Sequence, residues 1–374
     1  MQETKPKRRD TLFIATCVIY LVILVGFVIL RTLSSFGLFN WMSEAAFFVT
    51  FSIITQVVLM VIVPVVGMMI YRKKFLHKQA TQSFSDFMAN PQCTDENKPG
   101  FKAVMGDWWF KKPGMKLLFW SVVLGFLCFF FNIFMSMTFN TILILFGHRG
   151  AAGGVIGGLP FVGVSGFLVA LTLIAVLPGF CEEVTHRGML LKGFAGRIGV
   201  LRAVMLSSLL FGLMHLNIVQ FFYAAILGYL MALVVMATKN IWPAIIEHFM
   251  NNALGVYFMF ANQYGWIGGN FNSVFGDFLA RFFILIPLLI VGLYFSIIGI
   301  IHKLAREKFI EDNAKLEEPR PLHPHRGMRA INYYITADEN KNRPPLDPLE
   351  RTLIYGIVFL GVGVTAMTLV WGFL

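Results

Sequence analysis

The feature that most constrains this chain is a stretch of about twenty apolar residues that recurs along nearly its whole length. A helix rises about 1.5 Å per residue, so roughly twenty such residues cross the ~30 Å hydrocarbon core of a bilayer. Runs near that length occupy 12–30, 46–71, 117–146, 161–191, 201–216, 218–238, 242–261, 281–301 and 352–374. In hydrocarbon, backbone groups must be satisfied within the segment, so such runs are viable as packed helices. The predicted fold class is therefore all-α, a polytopic transmembrane helix bundle of about nine spans. The third and fourth runs are long enough to tilt or emerge from the bilayer. The fifth and sixth are joined only by a tight link at Leu216-Asn217.

Composition agrees with this reading. Of 374 residues, 57% are hydrophobic and 14% charged, and the mean hydropathy is +0.71. These values exclude an ordinary soluble enzyme, a disordered chain, a coiled coil and a disulfide scaffold. Cys17, Cys93, Cys128 and Cys181 have no metal-site or disulfide spacing. The net charge of +11 reflects basic cytoplasmic loops rather than a nucleic-acid partner.

The distribution of that charge predicts topology. Lys5, Lys7, Arg8 and Arg9 precede the first run, whose apolar core is too long for a signal peptide and lacks a small-x-small cleavage site. We read it as a retained span with the N-terminus in the cytoplasm. The inside segments are then 1–11, 72–116, 187–202, 239–241 and 302–351, which hold 28 basic residues, against Arg31, Arg149 and Arg281 elsewhere. That asymmetry follows the positive-inside rule. Three regions result: 1–159, N-terminal helices with the cytoplasmic loop 72–116; 160–262, a polar-containing core; and 263–374, C-terminal helices with a polar, partly extended cytoplasmic insertion at 302–351. His323 and His325 in that insertion read as solvated. The 149–160 segment is glycine-rich and read as flexible.

Ionisable groups are costly in a membrane, so each one there is a functional candidate. On this map they are Glu182, Glu183, His186, His215, Glu247 and His248, all between 182 and 248. Glu183 and Arg187 are i,i+4 neighbours and can pair, as are Glu182 and His186. Glu182 is left with the weaker partner and suits proton transfer. Pro178-Gly179 can bend the helix and admit water. His215 ends the Phe211-x-x-x-His215 pattern at a similar depth. His248 and Asn252 share a helix face, whereas Asn251 does not. Glu247 reads as solvated near the cytoplasmic end, and Phe211 as core or lipid-facing. Glu182 and His248 both approach the inside, so the site is expected to open on that side.

Glu182-Glu183-x-x-x-Arg187, Phe211-x-x-x-His215 and His248-x-x-x-Asn252, in that order and each on an apolar helix, resemble the three motifs of the CPBP family. That family includes the type II CAAX prenyl proteases and the bacteriocin-processing Abi proteins. The resemblance spans roughly 160–262. It implies an intramembrane endopeptidase acting on membrane-associated or lipidated protein or peptide substrates. By analogy Glu182 activates a water with help from His215, His248 and Asn252 stabilise the oxyanion, and Glu183 and Arg187 hold the site together. No cofactor is required on this reading. Zinc is the alternative, with Glu182, His215 and His248 as ligands, although the HExxH spacing is absent. The implied partners are the lipid bilayer and a membrane protein or peptide. Short loops and a basic, retained first span suggest a bacterial plasma membrane.

Other classes of function compete with this reading. The family also contains members that act by binding, so a non-catalytic membrane scaffold or an immunity or regulatory protein is the alternative. Gly163-Val164-Ser165-Gly166 matches the GxSG of rhomboid serine proteases, but small-residue runs are common in membrane helices. Carboxylates beside Cys181 disfavour it as a nucleophile. Asp277 lacks a GxGD context, and no internal repeat supports a transporter.

Overall fold

The computed structural model describes residues 10–76, 100–149, 159–339 and 343–373. Lys5, Lys7, Arg8, Arg9, Cys93 and most of the glycine-rich 149–160 segment lie outside these residues. The described residues form helices and no strand. In chain order the helices are α1 (Thr11–Ser35), α2 (Glu44–Lys74), α3 (Phe101–Asp107), α4 (Met115–Leu145), α5 (Gly163–Ile198), α6 (Val200–Met214), α7 (Ile218–Thr238), α8 (Trp242–Tyr264), α9 (Phe271–Arg281), α10 (Phe283–Asn313), α11 (Met328–Ile335) and α12 (Pro348–Phe373).

Seven of these, α1, α2, α4, α5, α7, α10 and α12, are long and apolar enough to cross a membrane, and the chain is an integral membrane protein. The expected nine therefore becomes seven by this measure. Helix α6 has only 15 residues. Helix α8 has 23, but Glu247, His248, Asn251 and Asn252 lower its hydropathy. The missing pair is thus the pair that carries the second and third motifs.

Local sequence sets the helix starts. Asp10 caps α1 by accepting from the Phe13 amide at 3.0 Å, and Ser43 caps α2. The tight link before α7 is built by Leu216 at φ +49° and by Asn217, whose side chain accepts from the Val219 amide at 2.8 Å. Helix α7 is the central element, with 61% of its most apolar stretch buried inside the bundle, against 17–39% for the other six. Helices α6, α4 and α10 pack around it, and α8 lies between α4 and the middle of α5.

One end of the bundle gathers the basic segments. The Asp10 amide and the Arg197 guanidinium both donate to Glu350, which is fully buried. Lys239 bonds Asp312 at 2.7 Å and Asp338 at 3.0 Å. Lys116 pairs with Glu307, and the Asn240 amide donates to the Lys111 carbonyl. The described residues of 302–351 combine irregular stretches at 314–327 and 343–347 with helical ones. Helix α10 continues to Asn313, α11 buries Ala330, Ile331 and Tyr334, and α12 begins at Pro348.

Candidate functional site

Two prolines shape the site by the bond that they cannot make. Proline lacks an N–H, so the carbonyl four residues earlier loses its helical donor. In α5 that is Ile174, four residues before Pro178, and its oxygen accepts from Asn252 Nδ2 at 2.9 Å. In α2 it is Met60, four residues before Pro64, and its oxygen accepts from Thr185 Oγ1 at 2.6 Å. Each freed carbonyl is thus met by a side chain of a neighbouring helix, which ties α8 and α2 to α5. The prolines therefore create docking points as well as irregularity. Helix α5 is also wound as π-helix at Leu171–Val176 and Val184–Leu190, a form concentrated at functional sites. Gly179 lets α8 approach, since a Cβ there would lie 3.0 Å from the Phe249 backbone.

The deepest part is a buried ionic chain. Glu183 and Arg187 are both fully buried, and Glu183 Oε1 accepts from Arg187 Nη1 at 2.8 Å. The same oxygen accepts from His248 Nδ1 at 2.9 Å. Arg187 Nη2 reaches the Gly228 carbonyl at 3.0 Å, and its Cζ lies 4.4 Å from the Phe211 ring centre. Glu183 therefore does more than compensate Arg187. It orients the imidazole of His248, because a carboxylate only accepts and Nδ1 must carry the proton.

Above this layer the motif residues converge. Glu182, His215, His248 and Asn252 line one cavity of about 520 Å³. Glu182 Oε2 lies 3.9 Å from His248 Nε2, too long for a direct hydrogen bond. Glu182 Oε1 accepts from Gln56 Nε2 at 2.9 Å. His215 Nδ1 lies 2.9 Å from the Phe211 carbonyl, so that nitrogen holds the proton of the neutral ring and leaves Nε2 as the acceptor. A second cavity of about 480 Å³ shares Glu182 and His215 and extends to Arg31 near the end of α1. Arg31 is 21 residues from Asp10, about 31 Å along a helix. The second cavity thus extends away from the basic end.

Phe211 is the hub of the arrangement and not merely core. It is 2% exposed, and its ring meets those of His186, His215 and His248 edge-on at 5.0, 5.3 and 5.7 Å. Gly228 makes room for it, since a Cβ there would stand 3.0 Å from the ring.

Several expectations from the sequence change. Glu247 is buried rather than solvated, because α8 turns it toward Cys128 on α4, whose Sγ is 3.8 Å away. His186 is buried and keeps its i,i+4 relation to Glu182, with Nδ1 at 2.9 Å from the Glu182 carbonyl. Asn251 lines the same cavity as Asn252 and bonds both Asn252 and Asn132. Gln56 and Asn132 were not legible, because they come from helices outside the motif region. Ser165 is exposed on α5 and lines neither cavity, Cys181 is buried, and Asp277 is exposed on α9. Glu182, His215 and His248 share a cavity wall, yet among the described residues no three His, Cys, Asp or Glu side chains are gathered closely enough to hold a metal ion.

Comparison with curated proteins and with solved structures found no match. Residues 164–254, about a quarter of the chain, match the family model described as type II CAAX prenyl endopeptidase Rce1-like. The matched stretch runs from the start of α5 to the middle of α8 and contains all three motifs. By this segment the chain is similar to the type II CAAX prenyl endopeptidases of the Rce1-like family.

Proposed function

We propose that the chain is an intramembrane endopeptidase in which Glu182 activates the attacking water. The observation that carries this reading is the convergence of Glu182, His215, His248 and Asn252 on one cavity, over a buried carboxylate that orients His248. The matching family model is that of a CAAX prenyl endopeptidase. The substrate class is accordingly a membrane-associated or lipidated peptide.

The chemistry follows from the donor and acceptor pattern. Glu182 Oε2 has no direct hydrogen bond and faces the cavity, so it can accept a proton from water. The water oxygen bonds to the scissile carbonyl carbon as that proton moves to Glu182. His215, with Nδ1 fixed, offers Nε2 as a second acceptor toward the same space. The developing oxyanion needs donors. Asn252 spends one Nδ2 hydrogen on the Ile174 carbonyl and has another to offer, and His248 Nε2 donates when the ring is protonated. Collapse breaks the C–N bond, and the proton held by Glu182 passes to the leaving amine. Exclusion of bulk water strengthens each of these interactions.

The test is cleavage of a peptide and membrane-protein library by the purified protein in detergent. Wild type runs beside Glu182→Ala and His215→Ala, each with and without a strong zinc chelator. Loss in both variants with activity kept in chelator supports the glutamate mechanism. Loss in chelator restored by zinc moves the same residues into ligand roles. Full activity of Glu182→Ala refutes the proposal.

A further inference from the structure

A third cavity, of about 650 Å³, lies at the basic end between α10, the 323–327 loop and α11. It shares no residue with the two cavities around Glu182. Its wall carries Lys303, Arg306 and Arg326 together with His302, His323 and His325. The single carboxylate there, Glu307, is already engaged by Lys116 at 2.8 Å.

The pairing pattern sets this wall apart from the polar segment around it. Lys239, Lys308, Lys315, Arg320 and Arg343 each bond a carboxylate. Lys303, Arg306 and Arg326 do not among the described residues, and Lys303 Nζ instead lies 4.2 Å from the Trp120 ring centre. Like charges collected without a counter-charge repel, and a bound anion relieves that repulsion. His302 on the same wall lies with its ring 6.1 Å from that of Tyr334, so α10 and α11 meet at the cavity.

Position identifies the class of anion. Helix α10 is apolar through Ile301 and polar from His302 onward, so the cavity sits where the helix leaves the apolar layer. A tryptophan beside a lysine at that level matches the interfacial belt of membrane proteins. Guanidinium groups suit tetrahedral oxyanions, which they bind with paired N–H donors. We propose that this cavity binds a phosphate group, carried by an anionic lipid headgroup or present as free phosphate, and so gives residues 302–351 a ligand-binding role separate from the Glu182 site.

The test uses the purified full chain, with lipid retention measured by native mass spectrometry for phosphatidylglycerol against phosphatidylcholine. Inorganic phosphate is tested in parallel by thermal melting in lipid-free detergent. Arg306→Gln/Arg326→Gln removes two wall cations. Arg202→Gln/Arg281→Gln makes the same charge change elsewhere on the protein, and melting without ligand confirms that both fold. Each cation near the surface contributes about fivefold in affinity, so the first pair should lower phosphatidylglycerol binding about thirtyfold. A preference lost in the first pair and kept in the second establishes the lipid source. Phosphate-dependent stabilisation without lipid preference, again lost only in the first pair, establishes free phosphate. No preference and no phosphate effect in wild type, or equal losses in both pairs, overturns the proposal.

Discussion

Replacing Glu183 with alanine tests the layer on which the site rests. The side chain is fully buried, and its Oε1 accepts from both Arg187 and His248 at 2.8 and 2.9 Å. Removing it leaves the Arg187 guanidinium buried without its ion-pair partner, bonded to the Gly228 carbonyl and stacked near the Phe211 ring. Breaking a buried ion pair on one side costs about 3–5 kcal/mol. The same i,i+4 spacing on an exposed helix face would be worth only about 0.3–0.5 kcal/mol, so the magnitude distinguishes the two environments. The assay is equilibrium unfolding in mixed micelles, with the fraction folded followed by circular dichroism. Glu183→Gln/Arg187→Met removes both charges at similar volume and should recover most of the loss, because an apolar replacement of a buried pair is often neutral. That double variant should still turn over substrate about 10–100-fold more slowly, as His248 loses its carboxylate orienter. A loss below about 0.5 kcal/mol in Glu183→Ala, or full turnover by the double variant, would refute the reasoning.

Further expectations concern the surroundings of that layer. Gln56→Leu removes the hydrogen bond to Glu182, and kcat should fall about 10–100-fold, equivalent to about 1.5–3 kcal/mol for a bond to a charged group, with KM little changed; unaltered kcat counts against a positioning role. Gly179→Ala places a Cβ against the Phe249 backbone at 3.0 Å and should destabilise by about 1–3 kcal/mol in the same unfolding assay, whereas Gly363→Ala, which meets nothing within 4 Å, should be neutral or slightly stabilising. The hydrogen bond from Lys239, opposed by partial burial and reinforced by Arg320, holds the Asp338 carboxyl below the usual range. Its contribution is therefore present above the unfolded-state value and is lost as pH falls through the lower folded one. Asp338→Asn should abolish that acid-side loss, and because the pair is well exposed the effect should stay under about 1 kcal/mol; an unchanged acid limb in stability against pH excludes it.

How much was readable in advance depended on the range of the interaction. The motif pairs Glu183–Arg187 and His215–Phe211 lie four residues apart, and helical geometry alone brings such positions onto one face. The tight link at Leu216-Asn217 was likewise local, since an asparagine cap and one left-handed residue complete it. Glu247 went the other way. Its distance from the end of a span suggested solvent, but burial depends on which neighbour the helix turns it toward, and that neighbour, Cys128, is 119 residues away. Gln56 has a similar separation of 126 residues from Glu182; it stands out as the one amide in its apolar run, but the run does not reveal its partner.

The sequence by itself determined that this chain is a bundle of apolar helices, that the acidic and histidine side chains of its apolar runs lie between 182 and 248, and that three short i,i+4 motifs fall between 182 and 252. These properties follow from hydropathy and from the 3.6-residue period, both of which act within a single helix. Only the tertiary structure decided that His248 hangs from Glu183, that Phe211 joins three histidines and an arginine, and that Gln56 reaches Glu182. It also decided that α6 and α8, which carry two of the motifs, pack against the central α7, with α8 seated between α4 and α5. Those outcomes depend on how helices pack and on which freed carbonyl or glycine surface meets which side chain, and packing is a property of the assembled bundle.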